Sequence, residues 1–250
     1  MGQGSALSPI LSAIYLALFL HILENCLKIL KIPISILSFV DDGLLVVQSK
    51  FFSISNSLLF CSYNIVSSFL PRFGLIVEHS KTEVFHFTRL CGSFNPPPLN
   101  LSFIGGPILY PKDTWKYLGF IFNRKLSFHQ HINFYSNKVI STVKCMKILG
   151  NSVRGLIPHQ KHLLYRSCVL PIALYGFQLW FYNKAFLSYP LKMLGKMQRR
   201  ASIWILGAFK TPPSFGIKAI AGLIPINLHL QKLSGRLQLR SHSLPHNHIL

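Results

Sequence analysis

The sequence predicts an α+β protein in which a small mixed part precedes a helical part. Residues 34–40, 44–49 and 115–123 are rich in β-branched and aromatic side chains and are bounded by turn residues, which is typical of short strands. From Ser127 onward, apolar residues recur at helical spacing among frequent Lys and Arg. With 250 residues, half of them hydrophobic, the chain can bury a sizeable core. We expect three parts, which are an α+β unit of residues 1–126, a helical unit of residues 127–235 and a loosely ordered basic tail of residues 236–250.

The first predicted element is a long helix. Ser8 is a suitable N-cap and Pro9 a suitable first helical residue, and the helix is expected to continue to about Lys31 before Pro33 ends it. Residues 5–23 carry no formal charge over a length that could span a bilayer. The hydroxyl side chains in this segment and the lack of a basic region before it favour a helix packed on all sides inside the domain. A membrane-inserted helix remains the alternative.

Two adjacent aspartates follow, Asp41 and Asp42, between two strand-like runs, and Asp42-Gly43 predicts a hairpin turn. Acidic residues are scarce in this chain, with six Asp and Glu against 26 Lys and Arg. Adjacent carboxylates repel each other unless a positive group offsets the repulsion, and a divalent metal such as Mg²⁺ prefers oxygen ligands. The pair therefore suggests a metal site for phosphoryl transfer. A hydrophilic turn without chemistry is the alternative.

The remaining elements of the first part are shorter. Residues 53–73 have the spacing of an amphipathic helix that ends at Gly74. Residues 75–87 predict two short strands around the "HSK" turn of residues 79–81. Residues 91–113 form a Pro- and Gly-rich connection with one short strand or hairpin inside it.

The net charge of +20 indicates a polyanionic partner, either nucleic acid or an anionic membrane surface. In the helical part, Lys192, Lys196 and Arg199 or Arg200 fall at i, i+4 and i+7 or i+8, one stripe that suits a phosphate backbone. An ordinary solvated basic face is the alternative. Pro171 is expected to break the helical part.

The cysteine, aromatic and histidine residues do not predict a functional site. The five cysteines are odd in number and lack a CxxC pair, so we expect buried thiols in a reducing compartment. Aromatic side chains at this density are predicted to belong to the core, and the histidines, which lack a completing ligand, to the surface. The residues concerned are Trp115, Trp180, Trp204, His129, His131, His242, His246 and His248.

Four segments together resemble a known family. "GQGSALSPI", "FVDD", "HSKTEVFHF" and "WKYLGFIFNRKLSFHQHI", in this order, are similar to the reverse transcriptases of non-LTR, LINE-like retrotransposons, especially the fungal kind. The later runs "RSCVLPIALYGFQLWFYNK", "RRASIWILGAFKT" and "AIAGLIPINLHL" look like the region after the polymerase core in those elements. The resemblance covers nearly the whole chain. It implies a partial polymerase palm followed by a thumb-like helical subdomain.

The resemblance also implies the reaction and its participants. They are an RNA template, a DNA primer, a dNTP and Mg²⁺ or Mn²⁺, inside the cell as a ribonucleoprotein in the nucleus or cytoplasm. Asp41 and Asp42 match the metal-binding catalytic pair of the family. Phe39 would pack under the hairpin, and Val40 would face the primer end. For a protein of this family, no stable membrane insertion is expected.

Further positions match the family's substrate contacts. Gln3 and Gly4 match the Gln-Gly that lines the incoming nucleotide's pocket. Lys81 matches the lysine near the triphosphate, where a cation can neutralise developing charge. The turn that supports the primer terminus is matched by Tyr117, Leu118 and Gly119.

The chain also departs from the family. The family's third catalytic aspartate lies on a strand before the "QGS" segment, and neither that strand nor the fingers are present in this sequence. We therefore expect a fragment that is inactive alone. The alternatives are a basic nucleic-acid-binding remnant without chemistry and a membrane-associated protein that inserts residues 5–23.

Overall fold

The structure is a computed structural model that describes residues 7–29, 33–40, 42–88, 96–101, 106–150, 154–182 and 188–243. The chain forms two compact units, the N-terminal unit of residues 1–113 and the C-terminal unit of residues 114–250. The division into compact units lies before the hairpin of residues 114–123, whereas the boundary predicted from the sequence lies after it, at residue 126. Mixed helices and short antiparallel strands come first and a helical region follows, as predicted for the fold class.

In the N-terminal unit, the described residues form two long helices and two antiparallel strand pairs. These elements are α1 (Ser8–Ile29), β1 (Ile34–Phe39), β2 (Asp42–Val47), α2 (Phe52–Phe69), β3 (Leu99–Asn100) and β4 (Ile108–Leu109). β1 pairs with β2, and β3 with β4. Helix α2 passes into a 3-10 turn, Leu70–Phe73, that ends at Gly74 with φ 65°, so the predicted stop is confirmed.

Helix α1 is not packed on all sides, so that prediction is wrong. Phe19, Leu23 and Leu27 are buried against the end of α2 and the following turn. The opposite face is open, and Leu18 is 62% exposed. The reason is that, among the described residues, α2 with its following turn and β1 cover one face of a helix that is apolar on more than one face. Among the described residues, α1 is a helix long and apolar enough to cross a membrane, with 17% of its most apolar window buried.

The segment of residues 75–87 keeps its predicted turn but does not form paired strands. His79–Lys81 is a 3-10 turn, and the described residues on both sides of it are not assigned to a strand. A strand is stable only when a neighbour accepts its backbone hydrogen bonds. Here the Lys112 N–H donates to the Val84 carbonyl at 3.5 Å. Val84 is nevertheless buried in the small cluster that also holds Tyr63 and Leu101.

The described part of the C-terminal unit is one hairpin followed by helices. Its elements are β5 (Thr114–Tyr117), β6 (Phe120–Asn123), α3 (His129–Met146), α4 (Pro158–Leu164), α5 (Leu170–Ala173), α6 (Phe177–Trp180), α7 (Ser188–Leu206), α8 (Ser214–Ile220) and α9 (Ile226–Ser243). Apolar faces of these helices share one continuous core around Val139, Leu194 and Leu230. Trp180 and Trp204 are buried in it, as predicted. Helix α9 continues through Ser243, so the first residues of the segment predicted as a loose tail are helical.

Pro171 does not break the helical region where the sequence predicts a break. A π-helical turn, Tyr165–Val169, joins α4 to α5, and the chain continues helically past the proline. The Leu170 N–H donates to the Tyr165 carbonyl five residues back. The wider turn accommodates a proline, which has no N–H and whose ring clashes with the carbonyl four residues before it.

Candidate functional site

The hairpin that carries the aspartate pair is present, and its turn lies earlier than predicted. Phe39 pairs with Asp42 and Ser38 with Gly43. Val40, with φ 57°, therefore follows the last paired residue of β1, and Asp42-Gly43 already belongs to β2. Pairing of the apolar runs on both strands, such as Leu37 with Leu44, sets this register. The predicted hairpin is confirmed, and the predicted turn position is wrong.

The hairpin tip is open to solvent. Asp42 and Val40 are exposed, and Phe39 is 56% exposed, so Phe39 does not pack under the hairpin as expected. The reason is that β1 and β2 form a sheet of two strands, which leaves one face uncovered at its end. Asp41, Gln3 and Gly4 lie outside the described residues.

The Asp42 carboxylate is a hard oxygen donor of the kind that Mg²⁺ and Mn²⁺ bind, and its exposure leaves room for a hydrated ion. Nowhere in the described ranges do three His, Cys, Asp or Glu side chains come together around a common point. The donor chemistry therefore fits a divalent metal, while the described residues supply one ligand rather than a complete set.

Lys81 lies on a turn that is anchored to helix α2. The Tyr63 hydroxyl is 2.7 Å from His79 Nδ1, and the Lys81 N–H donates to the Glu78 carbonyl at 3.1 Å. The Ser80 hydroxyl donates to the Glu78 carboxylate at 2.6 Å and, with lesser help from Lys81, lowers the pKa of that carboxyl. The Lys81 side chain itself is exposed. In the described chain no hydrogen bond or ion pair joins it to Asp42, so the structure does not bring these two predicted residues together.

The turn between β5 and β6 has a defined geometry. Leu118 and Gly119 have φ values of 47° and 82°, the pattern of a type I′ hairpin turn. The Tyr135 hydroxyl donates to the Gly119 carbonyl at 2.9 Å, and the Tyr175 hydroxyl donates to the Leu118 carbonyl at 2.6 Å. A Cβ at Gly119 would lie 3.1 Å from the Tyr175 hydroxyl oxygen. Two tyrosines therefore hold the turn that was predicted to support a primer.

His131 was predicted to lie on the surface, and that prediction is wrong. It is 1% exposed, its Nδ1 accepts the Ile121 N–H at 3.2 Å, and its Nε2 lies 3.0 Å from the Tyr175 carbonyl. A carbonyl can only accept, so Nε2 carries the proton and the ring is the neutral tautomer. Burial lowers the pKa of His131. The spacing of His131 and Tyr135 on one face of α3 was the available signal for this cluster.

Other predictions for single residue types have mixed outcomes. His129 and His242 are exposed, as expected, whereas His246 and His248 lie outside the described residues. The cysteines were predicted to be buried, and Cys61, Cys145 and Cys168 are exposed. Trp115, predicted as core, is half-buried and stacks on Tyr117 along β5, with ring centroids 4.9 Å apart.

Helix α7 presents the predicted basic stripe, with one member diverted. Lys192, Lys196 and Arg200 are exposed at i, i+4 and i+8. Arg199 instead donates from its Nη2 to the carbonyls of Lys210 at 2.7 Å and Pro212 at 3.2 Å. Arg199 therefore fastens the loop after α7, because its guanidinium donates to two carbonyls of that loop.

The charge of the chain is divided unequally. All six acidic residues lie in residues 1–113, at Glu24, Asp41, Asp42, Glu78, Glu83 and Asp113. Residues 114–250 contain 19 of the 26 Lys and Arg and no acid, so they carry a formal +19 of the total +20. A positive field without internal counter-charge attracts polyanions strongly. Sequence reasoning used the total charge and missed this division.

Comparisons with known proteins agree with the resemblance for the first half of the chain. Residues 1–122 match the family described as Reverse transcriptase (RNA-dependent DNA polymerase), a span that includes the aspartate pair, Lys81 and the β5–β6 turn. Over 115 residues the chain is 29% identical to a Drosophila melanogaster protein named "Probable RNA-directed DNA polymerase from transposon BS". That alignment covers 46% of this chain and 12% of the relative. No solved structure matches the chain.

Proposed function

We propose that this chain is part of an RNA-directed DNA polymerase of a non-LTR, LINE-like retrotransposon of the fungal kind. The observation that carries the proposal is the hairpin whose tip bears Asp42, within a segment that matches the reverse transcriptase family. The reaction is nucleotidyl transfer from a dNTP to a DNA primer on an RNA template. The primer 3′-hydroxyl oxygen loses its proton to water and bonds to the α-phosphorus, and the bond from that phosphorus to the bridging oxygen breaks to release pyrophosphate.

Asp41 and Asp42 would hold the divalent metal, Mg²⁺ or Mn²⁺. Such a metal, when bound, stabilises the attacking and leaving oxygens of an in-line phosphoryl transfer. The exposed position of Asp42 at the hairpin tip supports this role, because the carboxylate oxygens are accessible without rearrangement of β1 and β2. Phe39 and Val40 beside it present apolar surface to the nucleotide and primer end, and Gln3 with Gly4 would line the nucleotide's pocket.

Lys81 would neutralise charge on the triphosphate and its pyrophosphate product. Its turn is fixed to α2 through the contact between Tyr63 and His79, whereas its ammonium group is exposed. A fixed backbone with a free cation suits a phosphate contact. Tyr117, Leu118 and Gly119 would support the primer terminus on a turn held by two tyrosine hydroxyls.

The α7 stripe of Lys192, Lys196 and Arg200 would contact the phosphate backbone of the template and primer. Each exposed cation that neutralises a phosphate releases a condensed counterion, which makes binding dependent on salt. The formal +19 of residues 114–250 supports this role. The same charge favours a second candidate function, a nucleic-acid-binding remnant that has no catalytic activity.

We infer that the chain alone does not extend a primer. Two adjacent carboxylates bind metal weakly and hold it poorly for in-line transfer, and the described residues include no group of three potential ligands. A third carboxylate from outside these 250 residues would complete the site.

The test is primer extension on an RNA template with Mg²⁺ or Mn²⁺, together with RNA binding measured on the same preparation. The variants are Asp41→Asn and Asp42→Asn, and Asp113→Asn is a matched control in the same unit. We expect no extension and equal RNA binding by all four proteins. Addition of Mg²⁺ or Mn²⁺ should lower the luminescence of bound Tb³⁺ only in the two proteins that keep both Asp41 and Asp42. If Asp41→Asn and Asp42→Asn bound Tb³⁺ as well as the unmodified chain, only the second candidate function, a nucleic-acid-binding remnant without catalytic activity, would remain. Extension by the unmodified chain that the two aspartate variants lose would contradict the inferred inactivity.

A further inference from the structure

The β5–β6 hairpin and the helices of the C-terminal unit are joined through the buried ring of His131 on α3. Its Nδ1 accepts the Ile121 N–H of β6 at 3.2 Å, and its Nε2 donates to the Tyr175 carbonyl at 3.0 Å. Tyr175 lies between α5 and α6, far from β6 in the sequence. One side chain therefore connects a strand of the hairpin to a turn of the helical region.

The two tyrosines that hold the β5–β6 turn belong to the same set of contacts. Tyr135 lies one helical turn after His131, with ring centroids 4.7 Å apart, and its hydroxyl donates to the Gly119 carbonyl. Tyr175 accepts from His131 through its carbonyl and donates through its hydroxyl to the Leu118 carbonyl. We call His131, Tyr135 and Tyr175 the turn anchor. Two routes of contact therefore lead from His131 to the turn.

Tight packing around the turn anchor limits movement of the hairpin. The Phe120 ring stacks on Tyr175 with centroids 5.0 Å apart and on His131 with centroids 5.9 Å apart. Gly176 has φ 70°, and a Cβ at this position would lie 2.3 Å from the Phe120 ring. Glycine is required here both for the backbone conformation and for the close approach of Phe120. The hairpin is thus held by packing as well as by hydrogen bonds.

The hydrogen bonds of the turn anchor require a neutral His131. A protonated imidazole carries N–H groups on both nitrogens, so Nδ1 would then face the Ile121 N–H donor to donor. Residues 114–250 contain no Asp or Glu, so no carboxylate of this unit can offset a positive ring. Burial of the ring also lowers the pKa of His131.

The groups around His131 do not compensate a positive charge on it. The ring contacts of His131 in the described chain are with Phe120, Phe128, Tyr135 and Tyr175. A phenol ordinarily keeps its proton to about pH 10, and burial raises the pKa of Tyr135. On β5, the Lys116 ammonium group lies over the Phe134 ring, 5.9 Å from its centroid, and adds positive charge to this region. Proton uptake by His131 therefore opposes the packed arrangement.

We propose that His131 is a positioning residue for the primer terminus, because its neutral ring holds the turn of Leu118 and Gly119 in place and uptake of a proton releases the turn. This role rests on the proposed function, which assigns the primer terminus to this turn. His131 acts through Ile121 and Tyr175 and does not touch the primer. A released His131 takes up its proton at the ordinary value of about pH 6.5, so release becomes more favourable as the pH falls through that value.

The first measurement is hydrogen exchange of the Ile121 amide in the full chain, expressed as a protection factor at pH 7 and pH 5. Protection should fall about tenfold between the two, because proton uptake by the released His131 favours release. Release is local, so low concentrations of urea should hardly change exchange of the Ile121 amide. Exchange of the Val139 amide in the core of α3 should accelerate with urea, since it requires global unfolding.

Two substitutions separate the hydrogen bonds of His131 from its titration. His131→Gln keeps an acceptor and a donor but does not titrate, so protection of the Ile121 amide should be retained at pH 7 and be the same at pH 5. His131→Leu loses both bonds, so protection should fall about fivefold at both pH values. His129→Gln, at an exposed position of the same helix, is the matched control and should behave like the unmodified chain. Circular dichroism checks that each variant folds.

The second measurement is photocrosslinking from the primer terminus. A DNA primer that ends in 4-thiothymidine, annealed to an RNA template, should crosslink to residues 117–119 of the unmodified chain and of His131→Gln at pH 7. Crosslinking to these residues should fall about fivefold in His131→Leu, in line with the hydrogen bonds lost. The unmodified chain should show a similar decrease at pH 5, whereas His131→Gln should not.

Several outcomes would overturn the proposal. If urea accelerated exchange of the Ile121 and Val139 amides equally, the turn would have no local release. A pH dependence of Ile121 exchange that persisted in His131→Gln would belong to another group. Equal crosslinking of the unmodified chain and His131→Leu would show that the turn needs no positioning by His131. If exchange behaved as expected and no protein crosslinked at residues 117–119, the proposed primer contact would be wrong, whereas the pH-dependent turn anchor would stand.

Discussion

The two units differ in how charge and core are distributed. In the described part of the N-terminal unit, buried apolar residues form two small clusters, one around Leu101 and one around Leu23. The C-terminal unit buries one continuous cluster that joins most of its helices. All the acids belong to the first unit, and almost all the net positive charge belongs to the second.

This difference separates the two roles proposed for the chain. The N-terminal unit carries the carboxylates proposed for chemistry on a thinly covered framework, in which α1 and the hairpin tip expose large apolar side chains such as Leu18 and Phe39. The C-terminal unit carries cations on helices that stabilise one another. The exposed apolar residues of α1 lie on one face of one helix, and a contiguous apolar patch of this kind favours association.

The largest effect is expected from removing core volume in the C-terminal unit. Leu194 on α7 is 1% exposed, and Leu194→Ala should lower the free energy of unfolding by about 3 kcal/mol through lost burial and a cavity. The same change at Leu18 on α1, which is 62% exposed, should alter it by less than about 0.5 kcal/mol. Urea unfolding measures both. Equal losses would break the contrast between a packed and an open unit.

The next effect separates two neighbouring arginines of α7. Arg199→Ala removes hydrogen bonds to the carbonyls of Lys210 and Pro212 and should cost about 1 to 2 kcal/mol. Arg200→Ala should leave stability within about 0.5 kcal/mol and weaken RNA binding instead. Thermal unfolding and a filter-binding assay at fixed salt distinguish the two. If Arg199→Ala weakened RNA binding at unchanged stability, the structural role of Arg199 would be wrong.

A smaller effect is expected at the β5–β6 turn. Tyr135→Phe and Tyr175→Phe each remove one hydroxyl that donates to a turn carbonyl, and each should cost about 1 kcal/mol. Tyr182→Phe is the matched control, because Tyr182 is 56% exposed. Hydrogen exchange of the Leu118 and Gly119 amides should accelerate in the first two variants alone. Unchanged exchange in both would show that the hairpin needs no support from α3 and the turn after α5.

The smallest effect is a pH dependence confined to the C-terminal unit. Burial lowers the pKa of His131 in the folded state, so the unfolded chain binds its proton first as the pH falls. Stability is therefore complete above the unfolded pKa of about 6.5 and decreases as the pH drops through that value. His131→Gln should flatten the decrease in unfolding free energy between pH 7 and pH 5. His162 and His229, whose pKa values are also lowered, leave a residual slope. An unaltered slope in His131→Gln would contradict this assignment.

Local patterns predicted much of the fold. Asp42-Gly43 between apolar runs indicated a hairpin, and Gly74 indicated the end of a helix. The hairpin turn was misplaced because the pairing of Leu37 with Leu44 determines the register, and pairing is not a local property. The burial of α1 was wrong for the same kind of reason, since an all-apolar helix gives no sign of how many neighbours it has.

The candidate site was predictable where a short motif carries it. The aspartate pair and the α7 stripe could be named from spacing alone, but the diversion of Arg199 requires a loop that folds back to it. His131 was judged by its lack of metal partners, and nothing local shows that Ile121 and Tyr175 supply its hydrogen bonds. The turn anchor joins Leu118 to Tyr175, a separation that no periodicity reports.

The absence of Asp and Glu after Asp113 has a consequence for the handling of this protein. Proteases that cleave beside acidic side chains can cut only in the N-terminal unit, so cleavage before Asp113 releases the entire helical unit as one piece. Carbodiimide coupling between lysines and acidic side chains must likewise use a carboxylate from residues 1–113. Limited digestion is thus a direct route to a helical fragment that carries a formal +18, once the negative charge of Asp113 is set against the +19 of residues 114–250.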